Sequence, residues 1–285
     1  MNVRFIHSLY MAVLLGFTSS CISDDLSDCP IPQYIVEISV KDKNYKNIGD
    51  FPQLKSKDEN APFHHFEKTI YYTLSESTTR ACVKESSVVT VYGEDQTFPI
   101  IFDDIPEGEY ILTVWGNVTP EYPAGILHQD ALEHTDIYMA TCTLRLDRSY
   151  QTTELSLERT KGMFLLLCSN FPATVTSVGQ SINHLYQSVD ANFNYTGDTN
   201  VEKRVPLEST ISTWLAPTSE GPSKLKLIFY TDDAGTTAEL PEMDITMKRN
   251  EISAVAVDYK KTDGVCEVWM FIQEQWIMIH RLDIQ

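Results

Sequence analysis

Phe102–Asn117 reads FDDIPEGEYILTVWGN, and its pattern decides the fold class. Ile105-Pro106-Glu107-Gly108 suits a type I turn, with proline pre-setting the backbone angle and glycine closing the reversal. From Glu109 to Trp115 the side chains alternate: Tyr110, Leu112 and Val114 fall on one face, Ile111 and Trp115 on the other. Apolar residues on both faces place this strand in the interior of a packed architecture, not at a rim.

Strand signals continue on either side. YIVEISV (34–40) alternates, with Val36, Ile38 and Val40 on one face. FEKTIYYTL (66–74), SSVVTVYG (86–93) and TFPIIF (97–102) follow, separated by polar or Gly/Pro breaks. PEYPAGILHQDALEHTDIYMA (120–140) reads as a loop with at most a short helix, and TCTLRLD (141–147) resumes strand character. TTELSLERTKGMFLLLCSN (152–170) holds two strand-like runs split around Thr160-Lys161-Gly162. The second half repeats the style in 177–195, TISTWLAP (210–217), SKLKLIFYTDDAGTTAEL (223–240) and EISAVAVDY (251–259). Asp232-Asp233-Ala234-Gly235 is a hairpin turn between two alternating runs. Helical periodicity is scarce. The pattern predicts an all-β chain of two Greek-key β-sandwich domains in series, 34–155 and 156–285.

The amino terminus carries a different signal. Leu9–Phe17 is apolar but shorter than the roughly 20 residues a bilayer span needs. Arg4 precedes it, and Thr18-Ser19-Ser20 follow, the layout of an export signal over residues 1–20. Those small residues end on Cys21, which resembles the lipobox of a bacterial lipoprotein: cleavage between Ser20 and Cys21, and acylation of the Cys21 sulfur. Thr18 stands where that motif usually has leucine. An ordinary signal peptide with Cys21 in a disulfide is the other reading. Residues 21–33 form the acylated linker, and ISDDLSD within it resembles the acidic export signal of surface-displayed lipoproteins; a plain solvated linker fits the same residues.

Without residues 1–20 the chain keeps 21 basic and 40 acidic residues, a net charge of −19. This excludes nucleic-acid binding, which rewards clustered Lys and Arg, and it equally disfavours charge-driven binding to anionic lipid. At 42% hydrophobic and 11% aromatic, the body can bury a core. If Cys21 is acylated, the odd set Cys29, Cys82, Cys142, Cys168 and Cys266 cannot all pair within one chain. Cys168, in MFLLLCSN, reads as a small apolar core residue; Cys29 is the better disulfide candidate, its partner open.

No catalytic, cofactor or metal motif emerges, and the sequence gives no reason to expect a small-molecule substrate. His64-His65 with Glu67 read as surface residues beside a strand, and His128, Glu133, His134 and Asp136 as a solvated loop. Gly179–Asn183 opens like a nucleophile elbow but lacks the final glycine and the strand-to-helix context. Asp103-Asp104 and Asp232-Asp233 match no EF-hand.

The signal ending in Cys21, the following DDLSDCP, the central FDDIPEGEYILTVWGN and the LSLERTKGMFLLLCSN that opens the second half together resemble the FimB-type fimbrial anchor family, related to the fimbrillin pilins. The resemblance implies two transthyretin-like β-sandwich domains tethered at the outer membrane, and a surface-exposed role at the base of a fimbrium. There the family attaches the filament and limits its length, with pilin subunits as partners. Cys21 corresponds to the acylated cysteine, and the family supplies no catalytic residue. Such pilins are matured by cleavage after an arginine behind the first strand; none lies between Cys21 and Arg80 here, which favours an uncleaved anchor over a stalk or tip pilin. A surface glycan-binding lipoprotein is the third reading, although Trp115, Trp214, Trp269 and Trp276 all sit in strand-like runs. The tail EVWMFIQEQWIMIHRLDIQ reads as a final strand completing the second domain. The sharper expectation is that part of it contacts the first pilin.

Overall fold

The alternating segments become strands of several packed sheets around two main cores. The computed structural model describes residues 33–120, 124–128, 132–147, 151–231, 237–262 and 264–283. Ser20, Cys21, Cys29 and the Asp232–Gly235 turn lie outside them. The first sheet is built from β1 (Tyr34–Val40), β2 (Thr69–Glu76), β3 (Cys82–Glu85), β4 (Val89–Thr90), β5 (Phe98–Phe102), β6 (Gly108–Gly116), β7 (Tyr138–Leu146) and β8 (Gln151–Arg159). Its order is β3-β2-β6-β7-β8-β1-β5, with β4 also on β2. β7 and β8 pair only through Tyr138↔Arg159 and Met139↔Glu158, so the sheet turns a corner there. Its two wings close over one core: Val36, Ile38, Ile100, Phe102 and Leu157 from one, Ile70, Leu74, Leu112, Val114 and Leu144 from the other.

β6 lies between β2 and β7 in the sheet, and packing covers both of its apolar faces. Tyr110, Leu112 and Val114 enter the first core, while Trp115 packs on the opposite face with Val118, Leu127, Met139, Val189 and Ala216. The stretch before it is a bend, not a hydrogen-bonded turn. Asp104 takes the left-handed conformation (φ 58°), and Tyr110 Oη donates to the Pro106 carbonyl at 2.9 Å.

The second half begins with β9 (Gly162–Ser169) and continues through β10 (Val175–Leu185), β11 (Ser188–Val189), β12 (Tyr195–Thr196), β13 (Thr199–Pro206), β14 (Thr210–Leu215) and β15 (Ser223–Thr231). β16 (Thr237–Glu239), β17 (Met243–Ile245), β18 (Ile252–Lys260), β19 (Val265–Ile272) and β20 (Gln275–Asp283) complete it. Sheet β14-β9-β18-β19-β20 faces sheet β13-β10-β15-β16, and β17 also pairs with β15. Phe164, Leu166, Val178, Leu225, Leu227, Phe229, Val255 and Val268 fill the core between them. Cys168 is buried there, as its apolar context predicts, and Gly179 is an ordinary strand residue of β10.

All of β8 belongs to the first sheet, so the expected 155/156 division falls inside a strand; the chain changes sheet at Thr160-Lys161. Residues Gln33–Gln285 form one compact unit. The long β1–β2 connection explains why: its Tyr45 and Phe51 cover the outer face of the second sandwich, against Met163, Leu165, Ile252 and Ala254. Asn47 adds a two-point clasp, its amide donating to the Ile252 carbonyl (2.9 Å) and its oxygen accepting from Ile252 N–H (2.8 Å). No described helix is long and apolar enough to cross a membrane.

Candidate interaction surface

An unpaired sheet edge offers backbone N–H and C=O groups to another chain, and proteins blunt the edges they do not use. Most edges here are blunted. β5 carries Pro99, which has no N–H to donate. β13 is charged, with Glu202, Lys203 and Arg204, and ends in Pro206. β3, β4, β16 and β17 are short, and β14 is covered by the 3-10 turn Leu132–His134.

β20 differs. It is nine residues long, pairs only with β19 among the described residues, and holds no proline; its charged residues, Arg281 and Asp283, lie at its far end. A bulge between Val268 and Trp269 skips one residue of β20, so its alternation breaks at Ile279. Trp276 therefore packs beside Phe51 and Phe271 on the outer face, while Ile279 and Leu282 lean on the inner core. Between them Ile277 and Met278 stand exposed at 45% and 40%. Strict alternation would have hidden one of the two, and no residue type in the tail marks the bulge.

β1 is the opposite case. It lies inside its sheet, parallel to β8 over seven residues and antiparallel to β5 over five. Its Tyr34, Val36, Ile38 and Val40 are buried.

Two clusters expected at the surface are partly interior: Glu67 and His128 are buried, His64, Glu133 and Asp136 half-buried, and His65 and His134 exposed as expected. Glu67 is fully buried, and neither carboxylate oxygen has a hydrogen-bond partner among the described residues. A Cβ at Gly116 would overlap its Oε2, so the glycine makes the space. His64 and His65 lie in the 3-10 turn Phe63–His65, not on a strand. His128 is buried, its Nε2 accepting from Ala216 N–H at 3.0 Å and its Nδ1 3.6 Å from Glu133; burial pushes its pKa down. Asp136 accepts from buried Arg159 Nε at 2.8 Å. Arg159 also donates to Asn250 Oδ1 at 2.6 Å and to Tyr138 Oη, and stacks 4.0 Å from the Tyr45 ring centre. Lys161 is fully buried, donates to the Thr135 carbonyl at 3.3 Å, and is pushed down to about 7 by desolvation, which Glu133 and Asp136 only partly offset. These groups tie β8, His128, residues 132–138 and the turn before β18 into one polar junction. Long sequence separations hid it.

Burial first, then nearby Asp136, pushes the Glu67 pKa well above the ordinary carboxylate range. The folded state thus holds a proton that the unfolded state releases, and stability falls as pH rises above that range. Glu67→Gln is expected to match the wild type at pH 4 and exceed it by about 1–3 kcal/mol at pH 8, the scale of an unpartnered buried polar group. Urea unfolding at both pH values checks this; an offset independent of pH contradicts it.

Cys82, Cys142, Cys168 and Cys266 are free thiols. None of the four tryptophans is exposed, so none forms an open stacking platform. Among the described residues, no three His, Cys, Asp or Glu side chains converge as a metal-ligand set.

Solved structures share this architecture. A Bacteroides ovatus protein described as an adhesin superposes with a TM-score of 0.52 at 11% identity, over 89% of this chain and 96% of that one. The fimbrial anchor protein Mfa2 from Porphyromonas gingivalis gives 0.51 at 12%, over 88% and 100%. A Bacteroides thetaiotaomicron protein described as polysaccharide binding gives 0.50 at 10%, over 87% and 98%. The likeness is one of fold. No protein-family model matches the chain, and no curated protein does.

Proposed function

We propose that this chain is a non-enzymatic lipoprotein of two β-sandwich domains, tethered at the outer membrane through acyl groups on Cys21, that anchors the base of a fimbrium and limits its length. It holds the first pilin by strand contacts along β20. The observation that carries this reading is β20 itself: a long sheet edge without proline, its bulge and charges confined to the residues after Met278, with two apolar side chains exposed at its centre. Backbone pairing along such an edge supplies affinity, and side-chain pockets on the partner supply selectivity. The fold shared with the Porphyromonas anchor agrees with it.

A stalk or tip pilin of the same kind is the neighbouring possibility. Freeing a groove by removing the first strand would strip four buried side chains from the core, each contributing about 1.5–3 kcal/mol. The integration of β1 and the lack of arginine between Cys21 and Arg80 both favour a retained strand. A glycan-binding lipoprotein is supported by the fold shared with the polysaccharide-binding protein, and opposed by the covered tryptophans.

Replacing Ile277 and Met278 together by lysine tests the joint. Both side chains are exposed, so folding stability should change by less than about 0.5 kcal/mol. Pull-down of pilin by the variant should nonetheless fall at least tenfold. Undiminished capture would remove β20 from the interface.

A further inference from the structure

The β1–β2 connection reverses the charge of the chain around it. Residues 41–57 hold five lysines against two aspartates in a protein of net charge −18. They wall a surface pocket of about 700 Å³ whose lining includes Lys43, Asn44, Tyr45, Ser56, Lys57 and Glu59. The pocket is built, not incidental. Asn44 Nδ2 donates to the Lys57 carbonyl at 3.1 Å and Asn44 Oδ1 accepts from Lys57 N–H at 2.8 Å, pinning one wall to the other. Buried Tyr45 forms part of the floor.

Neither Lys43 nor Lys57 on its lining makes a direct ion pair among the described residues, although the Glu59 carboxylate shares the lining and Asp136 acts on Lys57 from a distance. Lys57 Nζ lies 5.0 Å from the centre of the Phe66 ring and donates to the His65 carbonyl at 3.2 Å. Lys43 Nζ lies 5.7 Å from the same ring and donates to the Glu59 carbonyl. Among the described residues neither makes an ion pair with a carboxylate, whereas neighbouring Lys41 pairs with Glu158 at 3.0 Å. An ammonium has three N–H groups, so each retains donors beyond its one carbonyl bond. Burial pushes the Lys57 pKa down, Asp136 only partly offsetting it, so an anion bound between the two ammoniums would relieve both burial and mutual repulsion. A carboxylate brings one charge and two oxygens; a phosphomonoester brings close to two charges and three strong acceptors, which suits a pair of ammoniums better.

We propose that this pocket binds a phosphomonoester, free or displayed on a lipid headgroup, between Lys43 and Lys57. The Glu59 carboxylate on the lining opposes the ligand and keeps binding weak. The site does not depend on the anchoring role.

The test is a titration of the purified full chain with inorganic phosphate, followed by amide chemical shifts and calorimetry at low ionic strength. Saturable binding is expected, with shifts centred on Lys43, Asn44 and Lys57. Lys43→Gln and Lys57→Gln should each weaken it about tenfold, the scale of a charge-assisted hydrogen bond. Glu59→Gln should strengthen it, and Lys55→Gln, outside the lining, should leave it unchanged. A second arm compares retention on phosphatidic acid vesicles with retention on phosphatidylcholine vesicles. Extra retention that phosphate reverses and the lysine variants lose assigns the lipid source; phosphate binding without it assigns a free phosphomonoester. No saturation, shifts centred elsewhere, or affinity indifferent to both lysine variants overturns the proposal. The wild-type shift map decides the matter should a variant fail to fold.

Discussion

Arg159→Met should lower unfolding free energy by about 3–5 kcal/mol, the range for removing one partner of a buried ion pair. Arg159 is 2% exposed and bonds to Asp136, Tyr138 and Asn250 while stacking on Tyr45. Burial opposes its charge, but Asp136, Tyr138 and Tyr45 more than offset that and hold its pKa above the ordinary value. Methionine keeps much of the volume but leaves the Asp136 carboxylate half-enclosed with its remaining oxygen already unpartnered. Asn250, which opens the approach to β18, loses its partner too. Both sandwiches should loosen together, because Arg159 ends the last strand of the first while Asn250 and Tyr45 act on the second. Urea unfolding at pH 7 measures the loss. A change below about 1 kcal/mol would mean that the junction holds little of the stability.

Local periodicity was the legible part of this chain. YIVEISV alternates strictly and buries one face, while the GEYILTVWG of β6 is apolar on both faces and is covered on both. The split at Thr160-Lys161-Gly162 was legible too, because glycine and two polar residues interrupt two apolar runs. What failed was everything that depends on distant partners. Glu67 beside two histidines looks like surface, yet Gly116, 49 positions away, opens the space that buries it. Asp136 looks like loop chemistry until β8 brings Arg159 to it. VEKRVP in β13 carries no apolar alternation, because its charges protect the solvent-facing edge of the strand. The exposure of both Ile277 and Met278 rests on a single bulged residue, invisible in the composition of the tail. Cys21 and Ser20, the residues with the clearest sequence signal, lie outside the described residues.

Loss of the Cys21 sulfur should have the largest effect in the cell. Each buried methylene contributes about 0.8 kcal/mol, so several acyl chains hold a protein on a membrane firmly and none leaves it free. Cys21→Ala is therefore expected to move the chain from the membrane fraction to the soluble one without altering the sandwiches, whose described residues begin at Gln33. Filaments held only through this chain would then lose their mooring and their length control together. Electron microscopy of cells producing the Cys21→Ala chain in place of the wild type reads both at once. Filaments that are overlong or shed into the medium, from cells that still assemble them, are the predicted result. Filaments of normal length that remain fixed to the cell surface would contradict the anchoring role.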